Sequence, residues 1–381
     1  MTTLPTLEIL AQHRRELLLA EVAALLHDVG KCSEAFLQPE GAGFDAVSCQ
    51  GKPHVNPHKA IFDPDELRNL PYWSSLSPQR GQCSRLEETQ HNTALWRTLK
   101  RFSLDLSLLD SEISLPGFGK AGIRELILWG RPLVSDQHQQ FRRVFNDMVD
   151  TVAYLGRAHG AAHVEKEEPD DDAARKKFDE PGKQDVLISS PFGCESVKLT
   201  NLDDRLTSLP FDKLLSRAVF EPKAQEAFTF ALGDTRRPIN EVTLWDWSST
   251  VAALYKAALA GALLGYKPEP ADIRWRLLSV RVDSAAFLGN VVHISDLLAR
   301  RELLANGFER VRKLLEEEYP CATCIYQDEN ASIYVVPNLD NLLELTDGQG
   351  NQLMAQGFDG YLRKPFTAEQ VMSILESSIA A

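Results

Sequence analysis

The feature that most constrains this chain is a helical segment that ends in a histidine beside an aspartate. Residues 5 to 31 carry leucines and alanines on a broad helical face, and Gly30 is suited to end the helix. His27 and Asp28 stand just before the glycine, and Lys31 follows it. Imidazole nitrogen and carboxylate oxygen are both common metal ligands, so this helix end predicts a metal site. The alternative is structural: Asp28 pairs with Lys31, and His27 is a hydrogen-bonded, half-buried residue.

The composition is that of a globular protein with room for two or three domains. The 381 residues are 44% hydrophobic and 25% charged, and a domain usually takes about 100–200 residues. No apolar run approaches the roughly 20 residues that span a bilayer, and the start lacks the features of a signal peptide. Six scattered cysteines fit a reducing compartment, so we expect a cytoplasmic protein with no membrane association. The net charge of -13 argues against a general DNA coat but permits a local basic groove.

Two further histidines stand four residues apart at the end of another predicted helix. Residues 120 to 160 have helical apolar spacing, and His159 and His163 lie at and just beyond its end. Side chains four residues apart share one face of a helix, which is a common arrangement for two ligands of one metal. Gly160 weakens a helix between them, so the alternative is a pair of loop or capping histidines.

A third block precedes the alanine-rich segment that runs to Leu264, which predicts a strong helix. Asp246 stands just before the first turn of this helix, where it either caps the helix or completes a metal site. Spacing and composition do not decide between the two roles. Loop insertions at about residues 32–90 and 165–240 interrupt the helical pattern, and we predict one helical domain over residues 1–265.

From residue 272 the pattern changes to a strand, a helix and then a hairpin. In that order, the predicted segments are residues 274–283, 293–318, 322–327 and 332–337. This order is the first half of a ferredoxin-like unit, and it predicts a partial, palm-like domain at residues 272–340.

Acidic residues lie at two telling places in this predicted unit. In nucleotidyl-cyclase and polymerase palm domains, acids on the first strand and in the hairpin turn hold divalent metals that bridge nucleotide phosphates. The corresponding candidates for nucleotide binding are Asp283, Asp328 and Glu329. The alternative is that all three are polar residues of ordinary turns.

Taken together, these blocks resemble the large subunit of type III CRISPR effector complexes, the CRISPR polymerase family. The resemblance rests on the leucine-rich helix ending in His27-Asp28-Val29-Gly30-Lys31, on Thr243-Leu244-Trp245-Asp246 and on the palm-like region. It covers residues 10 to 338, and the features of a divergent branch are Asn56-Pro57-His58-Lys59-Ala60-Ile61-Phe62, His159-Gly160-Ala161-Ala162-His163 and Ile325-Tyr326-Gln327-Asp328-Glu329-Asn330. The family begins with a circularly permuted HD domain followed by palm domains. The implied fold is therefore α+β and mainly α: a permuted helical HD domain, then a partial palm.

The resemblance implies an antiviral defence protein whose HD site is a metal-dependent phosphohydrolase acting on single-stranded DNA. The metal would be manganese, nickel or magnesium, which lowers the pKa of a bound water and stabilises charge on the phosphate. Lys31 would neutralise a phosphate oxygen or pair with Asp28. The partners would be the other subunits of a CRISPR ribonucleoprotein effector complex, together with single-stranded DNA or RNA. The implied metal ligands are His27, Asp28, His159, His163 and Asp246.

Departures from the family pattern favour two alternatives. Trp247 stands where the family often has a histidine, and the Gly-Gly-Asp-Asp turn that makes cyclic oligoadenylates is missing from the sequence. Trp247, the missing second palm domain and the acidic net charge favour a non-catalytic or truncated assembly subunit. Residues 345–381 include Leu362-Arg363-Lys364-Pro365 and resemble the end of a response-regulator receiver domain. That receiver-like β-α tail suggests, as a further alternative, a signalling phosphodiesterase for cyclic nucleotides.

Overall fold

The computed structural model describes residues 7–32, 107–129, 149–162, 187–189, 196–198, 205–231, 233, 242–289, 291–340 and 342. The chain divides into two compact units, Leu19–Ala252 and the combination of Met1–Leu18 with Ala253–Ala381. The predicted domain limits at residues 265 and 272 stay a prediction. The receiver-like tail at residues 345–381 and residues 33–90 of the first predicted insertion lie outside the described residues.

The amino-terminal helix is interrupted after α1 and ends earlier than predicted. Helix α1 spans Glu8–Gln12 and helix α2 spans Arg14–Leu26. Every residue from 17 to 26 is buried, which matches a segment that is leucine and alanine on almost all sides. The prediction that Gly30 ends this helix is wrong. Gly30 lies inside a short 3-10 turn, Val29–Cys32, in which the Lys31 N–H donates to the Asp28 carbonyl at 2.9 Å.

A small hairpin and two helices follow in the Leu19–Ala252 unit. Strands β1 (Glu112–Leu115) and β2 (Gly119–Gly122) pair antiparallel. Gly117 and Gly119 in this hairpin have φ values of 78° and 74°, the left-handed conformation that glycine adopts without strain. Helices α3 and α4 span Ile123–Trp129 and Val149–Ala162. Residues 152–156 and 158–159 of α4 are buried, so His159 lies on a largely buried helix.

The second predicted insertion, about residues 165–240, contains regular structure. Strands β3 (Leu187–Ser189) and β4 (Ser196–Lys198) form an antiparallel pair, and helix α5 spans Arg217–Phe228. A short 3-10 turn, Phe211–Lys213, precedes α5. At the start of α5 the Arg217 guanidinium donates to the Glu21 carboxylate of α2 at 2.5 Å, which fixes α5 against α2.

Helix α6 spans Leu244–Leu263 and is the long alanine-rich helix that the sequence predicts. Its later part packs on a three-stranded antiparallel sheet, through Ala253 and Ala257 against Val335. The sheet contains β5 (Trp275–Arg281), β6 (Thr323–Gln327) and β7 (Ala331–Pro337).

The sheet has the strand order β5-β7-β6, so the second strand of the β6–β7 hairpin lies in the middle. Between β5 and β6 the chain forms helix α7 (Ser284–Gly289), helix α8 (Ile294–Lys313) and a π-helical turn, Leu314–Glu318. The described fold is therefore α+β and mainly helical, as predicted, with the strand, helix and hairpin in the predicted order. None of the helices in the described ranges has the length and apolarity needed to cross a membrane.

Candidate metal centre

His27 leaves the end of helix α2 with its ring fixed by a backbone carbonyl. Its side chain is fully buried, and Nδ1 lies 2.5 Å from the Ala24 carbonyl oxygen. A carbonyl oxygen only accepts hydrogen bonds, so Nδ1 must carry the proton. In the neutral ring, Nε2 then keeps its lone pair. This is the arrangement in which histidine presents Nε2 to a metal while Nδ1–H is held by an outer hydrogen bond.

His159 of helix α4 faces His27 across the interior of the unit. His159 Nδ1 lies 2.9 Å from His27 Nε2, and the two rings meet edge to face with centroids 5.0 Å apart. His159 is 7% exposed, so water reaches this contact poorly. Because two imidazole nitrogens at hydrogen-bond distance need one proton between them, the contact holds one shared proton. The two rings are 132 residues apart in sequence, and the fold brings them together.

Asp28 presents one carboxylate oxygen to several groups in the same interior. Its Oδ2 lies 3.5 Å from His27 Nε2 and 2.7 Å from the Lys31 Nζ. The same oxygen accepts a hydrogen bond of 2.9 Å from the Trp247 indole Nε1–H. A buried carboxylate needs such partners, because an uncompensated charge in the interior is costly.

Lys31 is held from two sides. Its Nζ donates to Asp28 Oδ2 and also to the Gly233 carbonyl oxygen at 2.6 Å, and it lies 5.2 Å from the Trp247 ring centroid. The lysine side chain is 11% exposed. Its ammonium group is therefore a fixed part of the cluster and not a mobile surface charge.

Gly233 can approach the cluster because it has no side chain. A Cβ at this position would lie 2.4 Å from the Thr243 carbonyl oxygen and 2.9 Å from the Trp247 Cβ. The Gly233 N–H donates to the Val242 carbonyl at 2.9 Å, which holds this backbone against the start of helix α6. The close approach leaves the Gly233 carbonyl free to meet Lys31.

Trp247 enters the cluster from the first turn of helix α6, while its neighbour Asp246 does not. The Asp246 carboxylate is exposed and accepts bonds from the Thr243 N–H at 3.1 Å and the Thr243 hydroxyl at 2.7 Å. In return the Thr243 hydroxyl accepts from the Asp246 N–H at 3.1 Å. This reciprocal pattern is a capping box, so of the two roles open in the sequence Asp246 takes the cap. Trp247 is 3% exposed, and its ring lies edge to face with His159 at 5.3 Å.

The three ligand atoms nearly fit one divalent ion. His27, Asp28 and His159 each offer one ligand atom, and these three atoms lie within 4.8 Å of one another. Among the described residues, they form the one group of three or more possible metal ligands that lies this close together. Metal–ligand distances of about 2.0–2.2 Å in tetrahedral geometry place ligand atoms ~3.3–3.5 Å apart. The 3.5 Å between His27 Nε2 and Asp28 Oδ2 satisfies this condition. The 2.9 Å between the two histidine nitrogens must widen by a few tenths of an ångström.

The three acids predicted to bind a nucleotide are engaged by backbone N–H groups or by an arginine. Asp328 accepts from the Asn330 and Ala331 N–H groups at 2.7 and 2.8 Å, and these bonds lower its pKa. Glu329 forms an ion pair with Arg301, and Asp283 accepts from the Ala286 N–H at 3.0 Å. In the part of the chain that the structure describes, these acids form no three-residue ligand group.

The sequence does not reveal two contributors to the cluster, the Trp247 indole and the Gly233 carbonyl. It predicts Asp246 as a ligand, but Asp246 caps helix α6 instead. In the sequence, Trp247 stands out only as a substitute for a family histidine, and no motif marks the Gly233 carbonyl. The Thr243–Asp246 capping box next to Trp247 is the sequence signal that fixes its position on helix α6. His163, the other predicted ligand, lies outside the described residues.

The known proteins provide no further assignment of this site. Comparison with protein-family models, with curated sequences and with solved structures finds no match.

Proposed function

We propose that this protein is an HD-type, divalent-metal-dependent phosphohydrolase, the nuclease part of a CRISPR-type effector subunit that acts on single-stranded DNA. One observation carries the proposal: His27 Nε2, His159 Nδ1 and the Asp28 carboxylate converge in a buried cluster. The convergence joins residues 132 positions apart. The adjacent His-Asp pair and the sequence resemblance supply the HD assignment.

The side chains of the cluster divide the chemical work. The Ala24 carbonyl holds the Nδ1–H of His27, which fixes the tautomer and the direction of the Nε2 lone pair. The Trp247 indole orients Asp28. A divalent ion bound by these three ligands would lower the pKa of a water and offset the negative charge that builds on a phosphate. Lys31 is the cluster's own positive charge, close enough to the ligands to stabilise a phosphate oxygen.

The substrate class rests on the sequence resemblance. A single strand is the substrate of the family's HD site, and the overall charge of -13 is consistent with a protein that does not coat DNA. The palm assignment of residues 272–340 is part of the same proposal. The order β5-β7-β6, with a helix between β5 and β6, supports it.

A specific observation favours a second function, that of a non-catalytic assembly subunit. Asp28 Oδ2 already receives both the Lys31 ammonium and the Trp247 indole, and Asp246 is engaged in a helix cap. A site with these contacts is electrostatically balanced without a metal. Such a cluster would act as a polar core that fixes helices α2, α4 and α6 relative to one another.

A cleavage assay separates these two functions. The protein would be incubated with manganese, nickel or magnesium and labelled single-stranded DNA, with duplex DNA, single-stranded RNA and a cyclic dinucleotide in parallel. We expect single-stranded DNA to be cut, and we expect His27→Ala, Asp28→Ala and the double variant to lose cutting. His293→Gln is the matched control, because His293 is exposed and far from the cluster in sequence. Absence of cutting by the folded wild type with every metal would contradict the nuclease and favour the assembly subunit.

A further inference from the structure

The position of Lys31 suggests a role toward the metal itself. Its Nζ lies 2.7 Å from Asp28 Oδ2, the same oxygen that lies 3.5 Å from His27 Nε2. The ammonium and the candidate ligand nitrogen of His27 therefore both lie close to the same carboxylate oxygen. A divalent ion bound to this oxygen would share it with a positive charge at contact distance.

Two further groups hold the Lys31 ammonium near Asp28. The Gly233 carbonyl oxygen accepts from the ammonium at 2.6 Å, and the Trp247 ring centroid lies 5.2 Å away. Only 11% of the side chain is exposed. Without a metal, the positive charge is thus held next to the ligand oxygen, and after losing its bond to Asp28 the ammonium would still be tethered through the Gly233 carbonyl.

We propose that Lys31 is a tethered cation that competes with the divalent ion for Asp28 and so sets a weak affinity for the metal. This inference rests on the proposed function. Without a metal, Lys31 balances the Asp28 charge and keeps the cluster assembled. With a metal, the ammonium must give up its bond to Asp28 Oδ2, because two cations cannot share that oxygen without strong repulsion. The released ammonium, still beside the site, is then available to a phosphate oxygen of the substrate.

The test measures metal binding and needs no activity. Isothermal titration calorimetry with manganese alone would compare the wild-type protein with Lys31→Gln, which keeps a donor for Gly233 but removes the charge. We expect Lys31→Gln to bind manganese at least about tenfold more tightly, because the competing charge is gone. Lys31→Arg keeps the charge and should bind like the wild type. Lys223→Gln, a change of equal charge at an exposed residue, is the matched control, and His27→Ala tests that the titrated site is this one.

Each outcome decides between the inference and the function on which it rests. Equal or weaker binding by Lys31→Gln would overturn the role of Lys31 and leave the metal-dependent function standing. Binding by Lys31→Gln and not by the wild type would support the role of Lys31 and contradict the metal-dependent function of the natural protein. Absence of binding in both would overturn both.

A folding measurement covers the case in which the variant is unstable. Thermal unfolding of Lys31→Gln and of Lys31→Met would be followed by circular dichroism with and without manganese. If either variant is unfolded without the metal, we expect manganese to restore folding, because the ion takes the place of the ammonium on Asp28. Failure of manganese to restore folding in both variants would contradict the competition.

Discussion

The histidine cluster and the sheet hairpin use the same kinds of residue in opposite ways. Asp28 is 1% exposed, and its partners come from positions as far as 219 residues away. Asp328 lies in an exposed turn, and its hydrogen-bond partners are two and three residues away. A carboxylate that the fold gathers with distant groups can have a chemical role, whereas one satisfied by its own turn stabilises that turn. Sequence motifs alone treat the two as equal candidates.

The largest expected effect separates the two aspartates directly. Asp28→Asn leaves the Lys31 ammonium in the interior without its counter-charge, so we expect a loss of about 3–5 kcal/mol in the free energy of unfolding. Asp328→Asn should change the stability far less, because water replaces the lost interactions at this exposed turn. Urea unfolding at pH 7 measures both. Similar losses for the two variants would remove the distinction between the regions.

A buried indole, Trp247, and a partly buried one, Trp275, give the next contrast. Trp247→Phe removes a hydrogen bond to the Asp28 carboxylate, and we expect a cost of about 2–3 kcal/mol. Trp275→Phe removes a bond of 2.7 Å to a neutral acceptor, the Leu254 carbonyl, and should cost ~1 kcal/mol. Thermal unfolding of both variants provides the comparison. An equal cost would show that the charge of the acceptor does not matter here.

A glycine beside the histidine cluster and a glycine in helix α8 should respond to substitution with opposite sign. Gly233→Ala would place its Cβ 2.4 Å from the Thr243 carbonyl oxygen, and we expect a loss of about 1–3 kcal/mol with displacement of the Gly233 carbonyl from Lys31. Gly307→Ala lies inside helix α8 with nothing within 4 Å of the new Cβ, and should gain about 0.5–1 kcal/mol. Chemical denaturation tests both signs. A stable Gly233→Ala variant would mean that the close backbone approach is not needed.

The smallest expected effect is the pH dependence that Asp328 contributes. Hydrogen bonds from Asn330 and Ala331 lower its pKa from the ordinary value of 3.8. A lowered pKa in the folded state means that the contribution to stability is present above the unfolded value and is lost as the pH falls through the folded one. The stability difference between wild type and Asp328→Asn should therefore be constant at neutral pH and shrink below about pH 4. Melting curves between pH 2.5 and 7 measure it, and a difference that grows on acidification would contradict the assignment.

Short-range features were predictable from the sequence, and long-range ones were not. The α6 helix and the strand, helix and hairpin of residues 272–340 follow from local periodicity. His27 and Asp28 were identified because they are adjacent. The contact between His27 and His159 depends on the tertiary fold, and helical spacing in the sequence pairs His159 with His163 instead.

Two details depended on atomic geometry that no pattern contains. Asp246 and Trp247 are neighbours, yet the capping box holds the aspartate at the surface and leaves the indole to enter the interior. Helix α2 ends at Leu26, and a bond from the Lys31 N–H to the Asp28 carbonyl closes the next turn, whereas Gly30 predicts a later helix end.

The contact between His27 and His159 also has a consequence for ion binding. The Ala24 carbonyl keeps a proton on one nitrogen of His27, so the proton between the two rings occupies the place where both lone pairs would meet a cation. An ion can reach both nitrogens only after that proton has moved, either to the far nitrogen of His159 or to solvent. Binding of a divalent ion at this site would therefore be coupled to the displacement of that proton.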